Sequence, residues 1–246
     1  MKTDILLEAK TRNFGAQNFI ARNLLSGMMA LAIVACDREQ VERDIAEELP
    51  PPSYGEEESN VDLWLETMEM GSRELYASRA AVLAACGISE GDSVADIGAG
   101  TGLYTVLFGN AVGNTGTVFA VDIEPRFLRL INQRSADNDL SNVVSVLGQD
   151  NDITLPPNSI DVAYIADTYH YFSEPPQIMA SVQRALNKGG RLIILDYEAN
   201  PERTHLRFGK GPLISEIESF GFELVEEPKV EGLNDIYMVV FDVVKP

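Results

Sequence analysis

Three glycines alternate with other residues in the stretch Asp96-Ile97-Gly98-Ala99-Gly100-Thr101-Gly102, which continues an apolar run. Glycine allows a tight turn and lets the backbone come close to a bound molecule. A helix that begins just beyond such a turn points its free N–H groups at the same place. Gly98, Gly100 and Gly102 are therefore candidate ligand contacts.

An acidic residue ends the next apolar run. Asp122, followed by Ile123, comes 24 residues after Gly98. In an open α/β sheet, a carboxylate at this strand end can accept hydrogen bonds from both hydroxyl groups of a ribose. The two motifs together predict a nucleoside site, with a solvated strand end as the alternative interpretation of Asp122.

The same loop disfavours a dinucleotide such as NAD. The dinucleotide fingerprint requires a glycine three residues after its second glycine, and Leu103 stands at that position. Asp96 would repel a phosphate, whereas its charge suits an ammonium group. An NAD-dependent oxidoreductase is therefore the less favoured assignment, and a structural carboxylate bonded to loop amides is the alternative role for Asp96.

Segments with strand and helix periodicity alternate along the chain and would position these motifs. Predicted strands cover residues 93–97, 117–121, 142–147, 159–166 and 191–196, and predicted helices cover 61–70, 72–86, 102–111, 125–138 and 175–187. This alternation is typical of βαβ units and a mainly parallel sheet. A later helix at 212–220 precedes two strands, 222–226 and 236–244, which predicts an antiparallel pair. The predicted fold class is α/β with seven strands.

The pattern D-x-G-x-G-x-G, with an acid closing the next strand, resembles class I S-adenosylmethionine-dependent methyltransferases, whose cofactor carries a sulfonium and an amino group instead of phosphates. Residues 148–151, 161–172 and 182–192 resemble later motifs of the ubiquinone/menaquinone-methyltransferase-like branch, in order. The resemblance covers about residues 73–246. It implies a Rossmann-like, doubly wound sheet whose final strand inserts antiparallel.

The resemblance also implies S-adenosyl-L-methionine as cofactor and a small molecule as methyl acceptor. The cofactor-binding residues would be Asp96, Gly98, Gly100, Gly102, Asp122, Ile123, Asp150 and Asn151, with Asp150 at the adenine amino group. A general base is needed only when the nucleophile starts protonated. The candidate bases or orienting groups, in the loops after the fourth and fifth strands, are Asp167, His170 and Tyr197. A non-catalytic cofactor- or nucleotide-binding module is the alternative.

The charge of the chain excludes one class of partner. The chain has 246 residues, with 38 acidic and 19 basic side chains and a formal net charge of −19. Phosphate backbones are bound by clustered lysine and arginine, so a nucleic-acid substrate is not expected. The cysteines and histidines, Cys36, Cys86, His170 and His205, form no metal-ligand or disulfide pattern. No metal is therefore expected.

The N-terminal 60 residues carry a different kind of signal. Residues 24–35 are twelve uncharged, mostly apolar residues behind a net positive leader, fewer than the roughly 20 of a membrane-spanning helix. Ile33-Val34-Ala35-Cys36 resembles a bacterial lipobox, which implies that residues 1–35 are a lipoprotein signal peptide and that Cys36 is lipidated. The acidic, proline-broken residues 36–60 would then tether a methyltransferase domain, residues 61–246, to a membrane of the bacterial cell envelope. A plain helix before Cys36 would instead leave the protein in the cytoplasm.

Overall fold

The computed structural model describes residues 59–71, 73–199 and 209–244, with side chains described from Trp64 onward. The predicted signal peptide, Cys36, His205 and the predicted tether up to residue 58 lie outside the described residues. The first described helix begins at Ser59, two residues before the predicted start of the domain.

Helices and strands alternate through most of the described chain. The helices are α1 (Ser59–Met68), α2 (Glu74–Ala77), α3 (Arg79–Cys86), α4 (Leu103–Val112), α5 (Pro125–Asp137), α6 (Pro175–Ala185) and α7 (Lys210–Ser219). The strands are β1 (Ser93–Ile97), β2 (Thr117–Asp122), β3 (Val143–Leu147), β4 (Ile160–Ala166), β5 (Leu186–Tyr197), β6 (Phe222–Glu226) and β7 (Ile236–Val243). Two short 3-10 turns cover Gly113–Thr115 and Tyr169–Tyr171.

The helix predicted over 72–86 is divided in two. Ser78 separates α2 from α3 with φ −94° and ψ 10°. The side chain of Arg79 donates a hydrogen bond to the carbonyl of Tyr76 (2.7 Å), so a side chain satisfies one of the carbonyls that a helix end leaves open. The apolar periodicity continues across this break, which is why the sequence predicts a single helix.

All the described strands form one sheet, in the order β3-β2-β1-β4-β5-β7-β6. The first five strands of that order are parallel, whereas β7 is antiparallel to both β5 and β6. The prediction of a seven-stranded, mainly parallel sheet with an antiparallel C-terminal strand is confirmed. The chain reverses its direction of winding between β1 and β4, and ligands of such sheets bind at the carboxyl ends of the strands at this switch point.

The sheet is buried on both faces. On one face, Ile97, Val121 and Ile165 pack with residues of α6 and α7, and on the other, Val94 and Val118 pack with residues of α3 and α4. Successive side chains of a strand point to opposite faces, so strands covered on both sides are apolar almost throughout. This rigid sheet fixes the strand ends, and thereby the positions of the loops that follow them. In the part of the chain that the structure describes, no helix has the length and apolar character needed to cross a bilayer.

Candidate active site

A cleft of about 650 Å³ lies at the switch point of the sheet. Its lining comes from the loops that follow β1, β2, β3 and β4, together with side chains of α1. Among the lining residues are Trp64, Gly100, Asp122, Asp150 and Asp167. Residues that are far apart in sequence therefore meet around one cavity.

The three glycines of the loop after β1 serve different purposes. All three adopt positive φ: 71° at Gly98, 52° at Gly100 and 79° at Gly102, a region that L-residues rarely occupy. A Cβ at Gly98 would collide with the side chain of Thr168, and a Cβ at Gly102 would lie 2.7 Å from Ile131. At Gly100 the nearest atom would be the sulfur of Met68, at 3.4 Å. Gly98 and Gly102 thus pack the loop against the protein, while Gly100 leaves the cleft side open.

Asp122 joins the glycine loop to the turn after β2. Its carboxylate accepts hydrogen bonds from the backbone N–H of Gly100 (2.8 Å) and of Glu124 (2.9 Å). Burial raises the pKa of Asp122, and these two hydrogen bonds oppose the rise. Each carboxylate oxygen keeps further acceptor capacity, so Asp122 can bind ribose hydroxyls while it holds the loop.

The remaining predicted adenosine contacts line this cleft, with one exception. Ile123 lines the cleft and is 38% exposed, so it offers an apolar surface to a ring. Asp150 lines the cleft as well. Asn151 is exposed and lies outside the lining. The residues around it, Gln149 and Asp152, form an isolated β-bridge and both line the cleft.

A smaller recess of about 80 Å³ adjoins the glycine loop and contains Asp96. Asp96 is buried in β1, and the hydroxyl of Thr105 donates a hydrogen bond to its carboxylate (2.6 Å). Burial raises the pKa of Asp96 to about 7. A buried carboxylate with so little compensation would gain from a cationic partner, so the recess suits an ammonium group.

Arg73, in the turn before α2, also lines this recess, and sequence reasoning missed it. Its guanidinium contacts the carboxylate of Asp167, a residue after β4 that lines both the recess and the cleft. Asp167 has φ 52°, unusual for a non-glycine residue. Burial raises the pKa of Asp167, whereas Arg73 and His170 lower it.

Of the three predicted bases or orienting groups, Asp167 lines the cleft, while His170 and Tyr197 are outside its lining. His170 is held by Asp196, a buried residue of β5 that was not predicted: its Nδ1 lies 2.9 and 3.1 Å from the two carboxylate oxygens. The backbone N–H of Tyr197 donates to the same carboxylate (2.8 Å). His170 and Asp196 are thus a buried polar pair close to Asp167.

The groups of Asp167, His170 and Asp196 come within 4.8 Å of one another, a spacing at which such groups could also hold a metal ion. The guanidinium of Arg73 already contacts Asp167. A divalent cation beside it would be repelled by a like charge. Arg73 therefore offsets the charge of Asp167 in this cluster.

Helix α1 and the turn after it cover the glycine loop. Trp64 and Met68 of α1 line the cleft, and Glu69 forms an ion pair with Arg134 of α5. Arg134 also donates to the carbonyl of Thr101 (3.0 Å). The sequence predicts α1 only as a short apolar helix. Its position over the glycine loop could not be predicted from that pattern.

The sheet order, the glycine loop after β1 and the acid at the end of β2 define the class I methyltransferase architecture. A family model described as "Methyltransferase domain" matches residues 88–221, more than half of the chain. The chain belongs to this methyltransferase-domain family.

The curated relatives of the chain match over the same region. A ubiquinone/menaquinone biosynthesis C-methyltransferase from Burkholderia cenocepacia is 31% identical over 139 residues, and one from Burkholderia mallei is 30% identical over the same length. Each match covers 56% of this chain and 56% of the relative. The chain therefore spans about half the length of the curated relatives it matches.

Solved structures share the fold at lower identity. A SAM-dependent methyltransferase from Aquifex aeolicus has a TM-score of 0.66 at 24% identity and covers 77% of this chain and 100% of its own. A TehB-like SAM-dependent methyltransferase from Corynebacterium glutamicum has a TM-score of 0.56 at 19% identity and covers 76% and 100%. These likenesses establish the fold.

S-adenosylmethionine is the cofactor of this class, and the residues present fit it. Asp122 offers acceptors for a ribose, and Gly100 leaves the backbone open beside it. The recess supplies a buried carboxylate, Asp96, where the cofactor has an ammonium group. The charges and the open backbone of the site therefore agree with the cofactor.

Proposed function

We propose that the chain transfers the methyl group of S-adenosylmethionine to a small-molecule acceptor bound in the cleft. The observation that carries this proposal is the buried Asp122, which bonds to the glycine loop at the switch point of the sheet. The adjoining cleft, about 650 Å³, has the size of cavities that bind small molecules, roughly 300–1,000 Å³.

When bound, the cofactor supplies a methyl group already activated on a cationic sulfur, so the protein has mainly to align a nucleophile and exclude water. Asp122 would accept hydrogen bonds from the ribose, and Asp150 would meet the adenine amino group. Ile123 would form the apolar wall beside the adenine. Asp96 would face the ammonium group. These roles leave Asp167 and the aromatic residues of the cleft lining to the acceptor.

The cleft lining also includes apolar side chains and the half-buried carboxylate of Asp167. The apolar side chains are those of Trp64, Tyr171, Phe172 and Ile178. Such walls suit a ring-bearing molecule, and Asp167 can accept the proton that a hydroxyl group or an acidic carbon loses. The curated relatives are named for C-methylation in quinone biosynthesis. We extend to this chain only the chemical class, a hydroxylated aromatic acceptor.

The test is transfer of a labelled methyl group to a panel of hydroxylated aromatic compounds, with aliphatic amines and thiols as comparison. We expect transfer to aromatic compounds by the wild type and its loss in Asp122→Ala. Glu227→Gln is a matched control, since Glu227 pairs with Lys210 (2.8 Å) at a half-exposed position outside the cleft. Cofactor binding without transfer to any compound of the panel would favour a non-catalytic binding module.

The other alternative, an NAD-dependent oxidoreductase, gains no support from the described residues. Helix α4 begins at Leu103, where a dinucleotide site has its third glycine. Calorimetry with NAD and with S-adenosylhomocysteine separates the two assignments, and we expect binding of the latter alone.

We also propose that Cys36 is lipidated and that the domain is anchored to a membrane of the bacterial cell envelope. Support comes from the positive leader, the twelve-residue apolar stretch and the lipobox-like Ile33-Val34-Ala35-Cys36. A diacylated cysteine supplies the two chains that stable anchoring requires. The cytoplasm is the alternative location.

A further inference from the structure

Arg73 connects the recess to a residue that the cleft shares. It lines the recess beside Asp96 and the glycine loop, and its guanidinium contacts the carboxylate of Asp167. Asp167 lines both the recess and the cleft. Among the described residues that line the recess, Arg73 is the only one with a positive charge. The one cation among these residues is therefore bound to the carboxylate that both cavities share.

A ligand with an α-amino acid group needs this charge. Its ammonium group has a partner in Asp96, but its carboxylate would be buried at high cost without a donor or cation of its own. The hydroxyl of Tyr104 already donates to the carbonyl of Leu75 (2.8 Å). Tyr164 also lines the recess, but its hydroxyl is neutral. Arginine binds carboxylates through paired N–H groups, so Arg73, the only cation among the described residues of the recess, is suited to this task.

We propose that Arg73 binds the α-carboxylate of the methyl donor, and that this contact draws Arg73 away from Asp167, so that donor binding frees Asp167 to face the acceptor. The inference rests on the proposed function, because it takes S-adenosylmethionine as the donor. Arg73 is then a positioning residue that two carboxylates share. Asp167 acts on the acceptor only when the donor is in place, which favours binding of the donor first.

The surroundings of Asp167 make it sensitive to this exchange. The charged and titratable groups that act on Asp167 are Arg73, His170, Tyr171 and Asp196. Tyr197 forms a side-chain hydrogen bond with Arg73. Burial and, to a smaller extent, the charge of Asp196 raise the pKa of Asp167. The charges of Arg73 and His170 lower it. When Arg73 turns to another carboxylate, Asp167 loses a neighbouring positive charge, and its pKa rises. Asp167 then becomes a better acceptor for the proton of an acceptor hydroxyl.

Calorimetry with S-adenosylhomocysteine and its decarboxylated analogue tests the contact of Arg73. Both ligands keep the nucleoside and the ammonium group, so they differ only in the carboxylate. We expect Arg73→Ala to weaken binding of S-adenosylhomocysteine by about ten- to hundredfold and to leave the analogue unchanged. Arg73→Lys should restore part of the loss. Asp167→Asn, which removes the competing carboxylate, should strengthen binding of S-adenosylhomocysteine severalfold, and Glu227→Gln should change neither.

Proton uptake tests the release of Asp167 in the unmutated protein. Calorimetry at about pH 6 in buffers of different ionisation heat gives the protons bound with each ligand. We expect S-adenosylhomocysteine to bring more proton uptake than the decarboxylated analogue, and the difference to vanish in Asp167→Asn. The comparison cancels the contribution of Asp96, since both ligands carry the ammonium group.

Equal proton uptake with the two ligands would overturn the inference. Equal weakening of both ligands by Arg73→Ala would do the same, since it would indicate a purely structural role. Failure of the wild type to bind either ligand would instead contradict the proposed function, on which the inference depends. The two kinds of failure are therefore distinguishable.

Discussion

Asp122 carries two tasks, because its carboxylate both bonds to the glycine loop and faces the cleft. Ribose hydroxyls buried against an apolar replacement would lose a partner, which costs about 1–3 kcal/mol. We expect Asp122→Ala to weaken binding of S-adenosylhomocysteine by roughly one to two orders of magnitude, measured by calorimetry. Thermal unfolding of the unliganded variant measures the stability lost with the loop contacts. That effect can then be separated from the loss of the ribose contacts. Unchanged affinity would contradict the assignment of Asp122 to the ribose.

Asp96 makes the stability of the unliganded protein depend on pH. Burial raises its pKa from 3.8 to about 7 in the folded state. Between these values the folded protein holds a proton that the unfolded chain has lost, so the free energy of unfolding falls as the pH rises from about 4 to about 7. In Asp96→Asn the free energy of unfolding should lack this part of its pH dependence. The asparagine oxygen can still accept a hydrogen bond from Thr105. Denaturant titrations across that range check it, and parallel curves would contradict it.

At the scale of the element, the glycine loop offers a matched pair of substitutions. Gly100 has only Met68 near the position of a Cβ, whereas a Cβ at Gly102 would press on Ile131 at 2.7 Å. We expect Gly100→Val to abolish cofactor binding, because its side chain would stand where the ligand approaches the loop. Both positions have positive φ and strain a valine, but only Gly102 is also crowded, so Gly100→Val should lower the unfolding temperature less than Gly102→Val does. Gly102→Val should lower the unfolding temperature strongly, because overpacking a dense core is destabilising. Calorimetry and thermal unfolding measure the two effects, and a normal affinity in Gly100→Val would place the ligand elsewhere.

The elements were largely predictable, because most strands and helices have their own periodicity and several turns contain a glycine. The glycine loop and Asp122 lie at strand ends, where the parallel topology alone places them together. Arg73 and Asp196 were not predictable in the same way. Arg73 reaches a carboxylate 94 positions away, and Asp196 meets His170 across 26 positions. Such contacts depend on how α2 and the ends of β4 and β5 pack, which no local pattern encodes.

At the scale of the whole molecule, lipidation of Cys36 would decide where the domain works. We expect the mature protein to begin at a diacylated Cys36 and to lack residues 1–35, since leader, apolar stretch and lipobox-like residues occur in that order. Intact mass and membrane fractionation of protein from its natural cell provide the measurement, with Cys36→Ser as the control. A soluble protein that begins at Met1 would contradict the prediction and return the domain to the cytoplasm.

The position of β7 has a consequence for synthesis. β7 (Ile236–Val243) is made after β5 and β6, yet it lies between them in the sheet. While the chain grows on the ribosome, β5 and β6 are complete before the strand that joins them exists. Each then presents an unpaired backbone edge, and such edges recruit other strands. This end of the sheet therefore closes in one late step, and nascent chains halted before Ile236 would be the form most exposed to aggregation and proteolysis.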